Sequence, residues 1–148
     1  MDGLQVYLSG EIHTAWREEI IRGAAAEDLD IDFTGPVTNH EASDAAGDML
    51  GAEDKAFWRD HKSAKVNSIR TKTLIEASDL VIVRFGDQFK QWNAAFDAGF
   101  AVALGRPLIS LHPPELDHAL KEVDAAAQAT ARDPGQVVEV LRYVIMQK

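Results

Sequence analysis

The chain has 148 residues, of which 46% are hydrophobic, and this size suits a single compact domain over residues 1–148 with a substantial core. Its formal net charge is −9, from 24 acidic and 15 basic residues, which argues against binding to a nucleic acid backbone because that requires a basic face. The lack of cysteine excludes disulfides and thiolate chemistry and fits a cytoplasmic protein. The sequence has no signal-peptide pattern and no apolar run near the ~20 residues of a spanning helix, so we expect no membrane association.

Strand and helix patterns alternate along the chain. Short apolar runs that end in Gly or Pro predict strands, and apolar residues spaced three or four apart predict helices. The run at 80–83, "LVIV", is the clearest strand, because four consecutive apolar residues are typical of a strand buried on both faces. The predicted elements, in chain order, are a strand at 4–10, a helix at 12–27, a strand at 31–36, helical pattern at 54–77 in two pieces, a strand at 79–86, a helix within 91–107, a strand at 107–113, a short helix at 115–121, an edge strand at 124–131 and a helix from Pro134.

This alternation predicts a mostly parallel sheet with helices on both faces. Five strands favour a flavodoxin-like, three-layer α/β sandwich with strand order 2-1-3-4-5. Ligands bind such sheets outside the carboxyl ends of strands 1 and 3, where the strand order reverses. The loops at 7–13 and 84–93 lie there, and we expect them to supply the substrate-binding residues. These candidates are Ser9, Gly10, Glu11, His13, Arg84, Gly86, Gln91, Trp92 and Asn93.

One carboxylate, Asp97, is set into the small and apolar residues of segment 91–107. A helix that is apolar on nearly every side is usually buried, and a carboxylate that loses water without a partner is costly. We expect Asp97 in about the first turn of this helix, where the dipole and free N–H groups offset part of that cost. The residues alone leave two roles open: an ionised acid aimed at the pocket, or a structural acid that binds backbone N–H groups.

Three segments, "YLSG", "ASDLVIVRFG" and "AAFDAGFAVALGRPLI", resemble the nucleoside 2-deoxyribosyltransferase family, and in particular its YtoQ-like branch. The resemblance covers nearly the whole chain. In that family a small-residue helix carries a glutamate, then a Gly after one intervening residue, an alanine-rich segment and a Gly-Lys/Arg-Pro turn. Asp97, Gly99 and the turn at 105–107 match this pattern with a carboxylate that is one methylene shorter. Gln91 stands where better-known members have an aspartate that contacts the base, and Asn93 replaces a glycine.

The resemblance implies glycosyl transfer on a small nucleoside or nucleotide. Asp97 would attack the anomeric carbon as the nucleophile of a retaining glycosidase does, and a second nucleobase would then take the sugar. Tyr7 would orient the carboxylate by donating a hydrogen bond, while Arg70 and Thr71 would lie on a helix that borders the pocket. Two alternatives remain open, namely hydrolysis of a deoxynucleotide N-glycoside and binding of a nucleotide without catalysis. The family resemblance also implies a homodimer or larger oligomer.

Sequence motifs indicate neither a metal nor a cofactor. The five histidines lack the spacing of a metal-binding motif such as HExxH, and the chain has neither a GxGxxG signature nor a P-loop. The aromatic residues Phe85, Phe89 and Trp92 either stack on a nucleobase or pack beneath their loop, and packing is the favoured interpretation. Residues 37–53 form a long irregular connection, which is typical of a lid over a binding site or of an exposed acidic loop.

Overall fold

The computed structural model describes residues 3–86, 88 and 91–146, so Phe89, a candidate for base stacking, lies outside the described residues. The strands are β1 (Leu4–Gly10), β2 (Ile31–Thr34), β3 (Leu80–Arg84), β4 (Leu108–Leu111) and β5 (Ala129–Ala131). The helices are α1 (Trp16–Ala26), α2 (His40–Asp44), α3 (Ala56–Glu76), α4 (Trp92–Ala103), α5 (Lys121–Ala126) and α6 (Pro134–Met146), and short 3₁₀ turns form at Asp48–Leu50 and Pro114–Leu116.

The five strands form one sheet in the order β2-β1-β3-β4-β5, and each neighbouring pair is parallel. This order confirms the predicted flavodoxin-like α/β fold and the central position of β3. The order reverses between β1 and β3, so their carboxyl ends leave a crevice between the loops that follow them. The described helices include none that is long and apolar enough to cross a membrane.

The alternation of side chains along β1 divides the core into two layers. Val6 and Leu8 pack against the layer that contains α1 and α6, whereas Tyr7 packs with the buried alanines of α4. Because side chains two apart on a strand share a face, Ser9 points toward α4 together with Tyr7. This alternation places the polar end of β1 against the helix that carries Asp97.

Some predicted boundaries are wrong. α3 is one helix of 21 residues rather than two pieces, because its sequence contains neither Gly nor Pro to break it. β5 covers only Ala129–Ala131 of the predicted 124–131, since the alanines before it continue α5, in keeping with their high helix propensity. The helix predicted at 115–121 is also wrong in extent, because α5 begins at Lys121. α1 begins at Trp16 rather than at residue 12.

The segment 37–53 is more ordered than its sequence indicates. The Asn39 side chain caps α2 by accepting a hydrogen bond of 2.8 Å from the Ala42 amide. Ser63 of α3 accepts from the Gly47 amide at 3.1 Å and donates to the Asp44 carbonyl at 2.6 Å. The segment is thereby tied to α3 by hydrogen bonds.

Candidate active site

A cleft of about 1100 Å³ lies at the carboxyl ends of β1 and β3. The β1–α1 loop, α2, α3 and the first turns of α4 form its walls. It brings together most of the residues predicted for substrate binding and catalysis. Those that line it are Ser9, Gly10, Glu11, His13, Gln91, Trp92, Asn93 and Asp97.

Asp97 lies in the cleft because α4 is built to approach the sheet closely. The buried side chains of this helix are Ala94, Ala98 and Ala101, which recur every three or four residues along one face. Their small size allows α4 to pack close to Tyr7 and the rest of this core layer. Asp97 is adjacent to this alanine face and is half-buried, which turns its carboxylate toward the end of β1.

The Ser9 hydroxyl holds the Asp97 carboxylate. Ser9 Oγ donates to Asp97 Oδ2 at 2.6 Å, and Ser9 itself is almost fully buried. Among the described residues, Oδ1 of Asp97 has no hydrogen-bond donor. Asp97 is the sixth residue of α4, so the expectation that it lies in about the first turn is wrong, and the alternative in which it binds backbone N–H groups is not observed. A side chain of β1 takes that role instead.

Burial raises the pKa of the Asp97 carboxyl above its ordinary value, and the hydrogen bond from Ser9 offsets only part of that shift. The carboxylate form is therefore destabilised in the folded protein relative to water. A carboxylate with one partner and little hydration is more reactive toward an electrophile than a fully solvated one, provided that the pH keeps it ionised.

Tyr7 lies beneath the cleft rather than in its wall. Its side chain is fully buried, and its hydroxyl has no hydrogen-bond partner among the described residues. Burial raises the pKa of Tyr7, the nearby side chain of Thr71 lowers it, and the charge of Asp97 raises it further. The hydroxyl therefore lies within the electrostatic reach of Asp97 and keeps its proton, but the predicted hydrogen bond between them is not formed.

Glu11 turns its carboxylate into the β1–α1 loop. Glu11 Oε2 accepts from the amides of His13 at 2.8 Å and Thr14 at 3.1 Å, and Oε1 accepts from the Thr14 hydroxyl. Burial would raise the pKa of Glu11, but these hydrogen bonds and the charge of Arg84 outweigh it and lower the pKa. The hydrogen bonds hold residues 12–15 as a series of bends, and α1 starts only after them.

Arg17, which the sequence analysis did not identify, anchors the same loop. Its buried guanidinium donates to the carbonyls of Leu8 at 3.1 Å, Gly10 at 3.0 Å and Glu11 at 2.6 Å. Burial lowers the pKa of Arg17 to about 10, so the group stays charged at neutral pH. Nothing in the sequence distinguishes Arg17 from the exposed charges of an ordinary surface helix.

Gly10 allows the chain to leave β1 beside Arg84. Its φ of +123° lies in a region that L residues rarely adopt, and a Cβ here would lie 2.2 Å from the Arg84 carbonyl oxygen. Arg84 and Gly86 do not line the large cleft. They line a small hollow of about 50 Å³ behind the loop, where Gln91 Oε1 accepts from the Gly86 amide at 2.9 Å.

The aromatic side chains at the start of α4 are exposed in the cleft. Trp92 is 72% exposed and Phe96 is 74% exposed, and both line the cleft together with the partly buried Phe100. Phe85, in contrast, is buried in the core, as the packing interpretation predicts, whereas that interpretation is wrong for Trp92. The sequence analysis did not identify Phe96 and Phe100 as cleft residues. On a helix that is apolar on most sides, the sequence does not distinguish an apolar side chain of the core from one that lines a pocket.

The basic residues near the cleft have partners within the chain. Arg70 donates to the Gly35 carbonyl at 2.6 Å, and the Lys72 ammonium lies 5.9 Å from the centre of the Phe100 ring. Both residues line the cleft, as does Thr71. The acids Asp44 and Asp60 line it as well, so the cleft does not concentrate positive charge.

A second polar cluster, at the carboxyl end of β4, contains potential metal ligands. Ligand atoms of His112, Asp117 and Asp124 lie within 4.8 Å of one another. His112 Nε2 is 2.8 Å from Asp124 Oδ2, Ser110 donates to Asp124 at 2.7 Å, and Arg132 pairs with Asp117. Protein donors therefore already engage both carboxylates of this cluster.

Comparison with known proteins identifies the family of the chain. The chain matches the family described as "Nucleoside 2-deoxyribosyltransferase YtoQ" over residues 7–145. It is 42% identical over 140 residues to the uncharacterized protein YtoQ of Bacillus subtilis (strain 168), and this alignment covers 94% of the chain and 95% of that relative.

Solved structures of more distant sequence share the fold. A conserved protein from Enterococcus faecalis V583 is similar with a TM-score of 0.63 at 15% identity, over 96% of this chain and 99% of that one. A 2-deoxyribosyltransferase from Bacillus psychrosaccharolyticus is similar with a TM-score of 0.53 at 17% identity, over 93% of this chain and 95% of that one.

The environment of Asp97 predicts a pH-dependent effect on stability. Asp97→Asn retains an oxygen that can accept from Ser9 and removes the buried charge, so we expect a higher melting temperature than wild type near pH 7. An acid with a raised folded-state pKa binds more protons when folded than when unfolded, so the wild type regains stability as the pH falls through that pKa. The advantage of the variant should therefore shrink toward acidic pH.

Thermal unfolding followed by circular dichroism across this pH range measures the effect. Glu19→Gln, which removes an exposed acid from the first turn of α1, is the matched control and should show no such trend. An Asp97→Asn variant that is less stable than wild type at neutral pH would show that the carboxylate stabilises the fold.

Proposed function

The chain belongs to the YtoQ nucleoside 2-deoxyribosyltransferase family, and on this basis we propose that it transfers the 2-deoxyribosyl group of a nucleoside, with Asp97 as the nucleophile. The observation that carries the proposal is the Asp97 carboxylate, half-buried in a large cleft and held by one hydrogen bond from Ser9. Its Oδ1 remains without a donor among the described residues and is the atom assigned to attack.

In the proposed reaction Asp97 Oδ1 forms a bond to the anomeric carbon as the bond from that carbon to the nucleobase breaks. The base leaves with the electron pair and takes up a proton, and the sugar remains on Asp97 as an ester. A nitrogen of a second base then attacks the same carbon and releases the carboxylate, and this base gives up its proton, which balances the proton that the first base took up. Both steps develop positive charge on the sugar ring, which a carboxylate beneath it stabilises.

Two neighbouring hydroxyls support this role. Ser9 fixes the orientation of the carboxylate, because its hydrogen bond to Oδ2 determines where Oδ1 points. Tyr7 has a protonated, unpartnered hydroxyl close enough to interact electrostatically with Asp97. We assign Tyr7 the role of donating to the carboxylate from beneath the cleft when the site fills.

The nucleobase would lie against the aromatic side chains of α4. Trp92 and Phe96 offer large exposed faces to the cleft, and an aromatic face is suited to stacking on any base. Asn93, which also lines the cleft, supplies an amide that can hydrogen-bond to a base edge. His13, on the β1–α1 loop, lines the cleft as well.

One feature favours binding without turnover as a second candidate. Asp97 is one methylene shorter than the glutamate of the family that the sequence resembles, so its carboxylate reaches less far into the cleft. Hydrolysis of the N-glycoside, with water in place of the second base, uses the same intermediate. All three functions separate in one assay, which offers deoxynucleosides with and without a free acceptor base.

Substitutions at Asp97 test the assignment. Asp97→Asn keeps shape and hydrogen bonding but cannot form the ester, so base exchange should fall by orders of magnitude while the fold is retained. Asp97→Glu restores the longer reach and should raise exchange. Chromatography of free bases and nucleosides measures both. Unchanged exchange in both variants would contradict the assignment.

The pH profile of base exchange separates a role of Asp97 in the reaction from a role in stability, because a change in stability alone would not move the profile. Exchange by the wild type should fall as the pH drops through the raised pKa of Asp97, because only the ionised carboxylate attacks. Ser9→Ala removes the hydrogen bond that lowers this pKa, so the acidic limb should move to higher pH. A limb that stays in place in this variant would contradict the role given to Ser9.

We also propose that the chain forms a homodimer or larger oligomer. Ile69 of α3 is 68% exposed, and Trp92 and Phe96 are exposed to a similar extent. These large apolar side chains lose contact with water if another copy covers the open side of the cleft. Light scattering should give at least twice the mass of the 16.2 kDa chain at micromolar concentration, and a monomer mass would contradict the assembly.

A further inference from the structure

The end of β1 loses its neighbouring strand before it reaches the candidate active site. β2 pairs with β1 only as far as Thr34, which lies opposite Tyr7. If that register continued, the nitrogen of Pro36 would lie opposite the carbonyl of Leu8, but proline has no N–H to donate. The carbonyl of Leu8 therefore requires a donor from outside the sheet.

The guanidinium of Arg17 supplies this donor. Its Nε donates to the carbonyl of Leu8 at 3.1 Å, and its two Nη atoms donate to the carbonyls of Gly10 at 3.0 Å and Glu11 at 2.6 Å. The guanidinium carbon lies 4.5 Å from the centre of the Trp16 ring, and Arg17 is only 7% exposed. One planar side chain thus replaces the missing strand along the last residues of β1.

Ser9 lies between two of the carbonyls that Arg17 holds. Because the peptide groups of Leu8 and Gly10 are fixed on either side of it, the direction of its side chain is fixed as well. That direction brings the hydroxyl of Ser9 to 2.6 Å from Asp97, a hydrogen bond that weakens steeply when its distance or angle changes. The contacts therefore run from Arg17, on the α1 face of the sheet, through the backbone of β1 to Asp97 on the α4 face.

We propose that Arg17 is a positioning residue for Asp97, because it holds the backbone on both sides of Ser9 and thereby determines where the nucleophilic oxygen points. This inference rests on the proposed function, since it takes Asp97 as the nucleophile of the same cleft. Arg17 is not among the described residues that line the cleft, so it acts through Ser9 rather than on the substrate. A misdirected carboxylate slows the chemical step more than it weakens substrate binding.

Arg17→Lys tests the proposal without removing the charge. It replaces the planar fork with a single ammonium, which cannot reach all three carbonyls at once. Burial raises the pKa of Asp97 and the hydrogen bond from Ser9 lowers it, so a loosened Ser9 should raise this pKa further. The midpoint of the Asp97 carboxyl, followed by carbon-13 NMR, should therefore lie at higher pH in Arg17→Lys than in wild type, as it should in Ser9→Ala. Arg22→Lys, the same change at an exposed position of α1, is the matched control and should leave the midpoint unchanged.

The double variant Ser9→Ala/Arg17→Lys separates positioning from general stability. If Arg17 acts through Ser9, adding Arg17→Lys to Ser9→Ala should not move the midpoint of Asp97 any further. A folded Arg17→Lys variant with the wild-type midpoint overturns the inference, and so do two shifts that simply add. This titration requires no turnover, so it decides the role of Arg17 even if the protein exchanges no bases.

Base exchange supplies the kinetic measurement. In Arg17→Lys the kcat of exchange should fall at least about tenfold while KM changes little, because the carboxylate is misdirected in a cleft that still binds substrate. A folded variant with an unchanged kcat overturns the inference and leaves the proposed function intact. A wild type that exchanges no bases contradicts the proposed function, and the role of Arg17 is then decided by the titration.

The wild type decides the matter if Arg17→Lys does not fold. Its Arg17 Nε–H resonance should shift with the same midpoint as the Asp97 carboxyl, because the two groups are coupled through Ser9. This shift should disappear in Asp97→Asn. An Arg17 resonance that stays constant while Asp97 titrates overturns the inference.

Discussion

The hydrogen bond from Ser9 to Asp97 joins the end of the first strand to a helix 88 residues further along the chain. It is the interaction on which the candidate active site depends. A half-buried carboxylate requires a donor, and the apolar residues around Asp97 supply none from within α4. The alternation of side chains along β1 and the close approach of α4 bring Ser9 and Asp97 together so that this requirement is met.

The loop beside this hydrogen bond is held by two buried charges. Arg17 donates to three backbone carbonyls, and the Glu11 carboxylate accepts from two backbone amides and a hydroxyl of the same loop. A buried charge is costly unless its hydrogen bonds are made. Each of these charges therefore restrains the conformation of the backbone to which it is hydrogen-bonded. The cleft therefore has one rigid wall, formed by the β1–α1 loop, and exposed aromatic side chains at the start of α4.

The sequence was sufficient for the fold because hydrophobic pattern and topology rules act on the whole chain. The run Leu80–Val83 marked the central strand, and the alternation of elements predicted the strand order. The same rules placed Asp97 and the β1–α1 loop at one edge of the sheet. These rules could not predict which group donates a hydrogen bond to Asp97. The donor is Ser9 rather than Tyr7 or a helix N–H, because of how α4 packs along β1.

Sequence patterns likewise did not predict the direction in which individual side chains point. Glu11 was expected to contact substrate, yet its carboxylate binds its own loop, and Arg84 lies behind that loop. Arg17 resembles any basic residue on a surface helix, and only the positions of three carbonyl oxygens make it an anchor. Whether these hydrogen bonds form depends on shifts of a few tenths of an ångström in atomic position. Neither hydrophobic periodicity nor residue spacing determines positions so finely.

In the proposed reaction Asp97 carries the sugar as an ester. A deoxynucleoside with fluorine at carbon 2 of the sugar should trap that state, because the electron-withdrawing atom destabilises the positively charged transition states and slows release of the ester. Mass spectrometry of the protein after incubation with such a compound should show one added fluorosugar, located on the peptide that contains Asp97 and absent from Asp97→Asn. A fluorosugar attached to another residue, or base exchange that proceeds without any trapped sugar, would contradict the account.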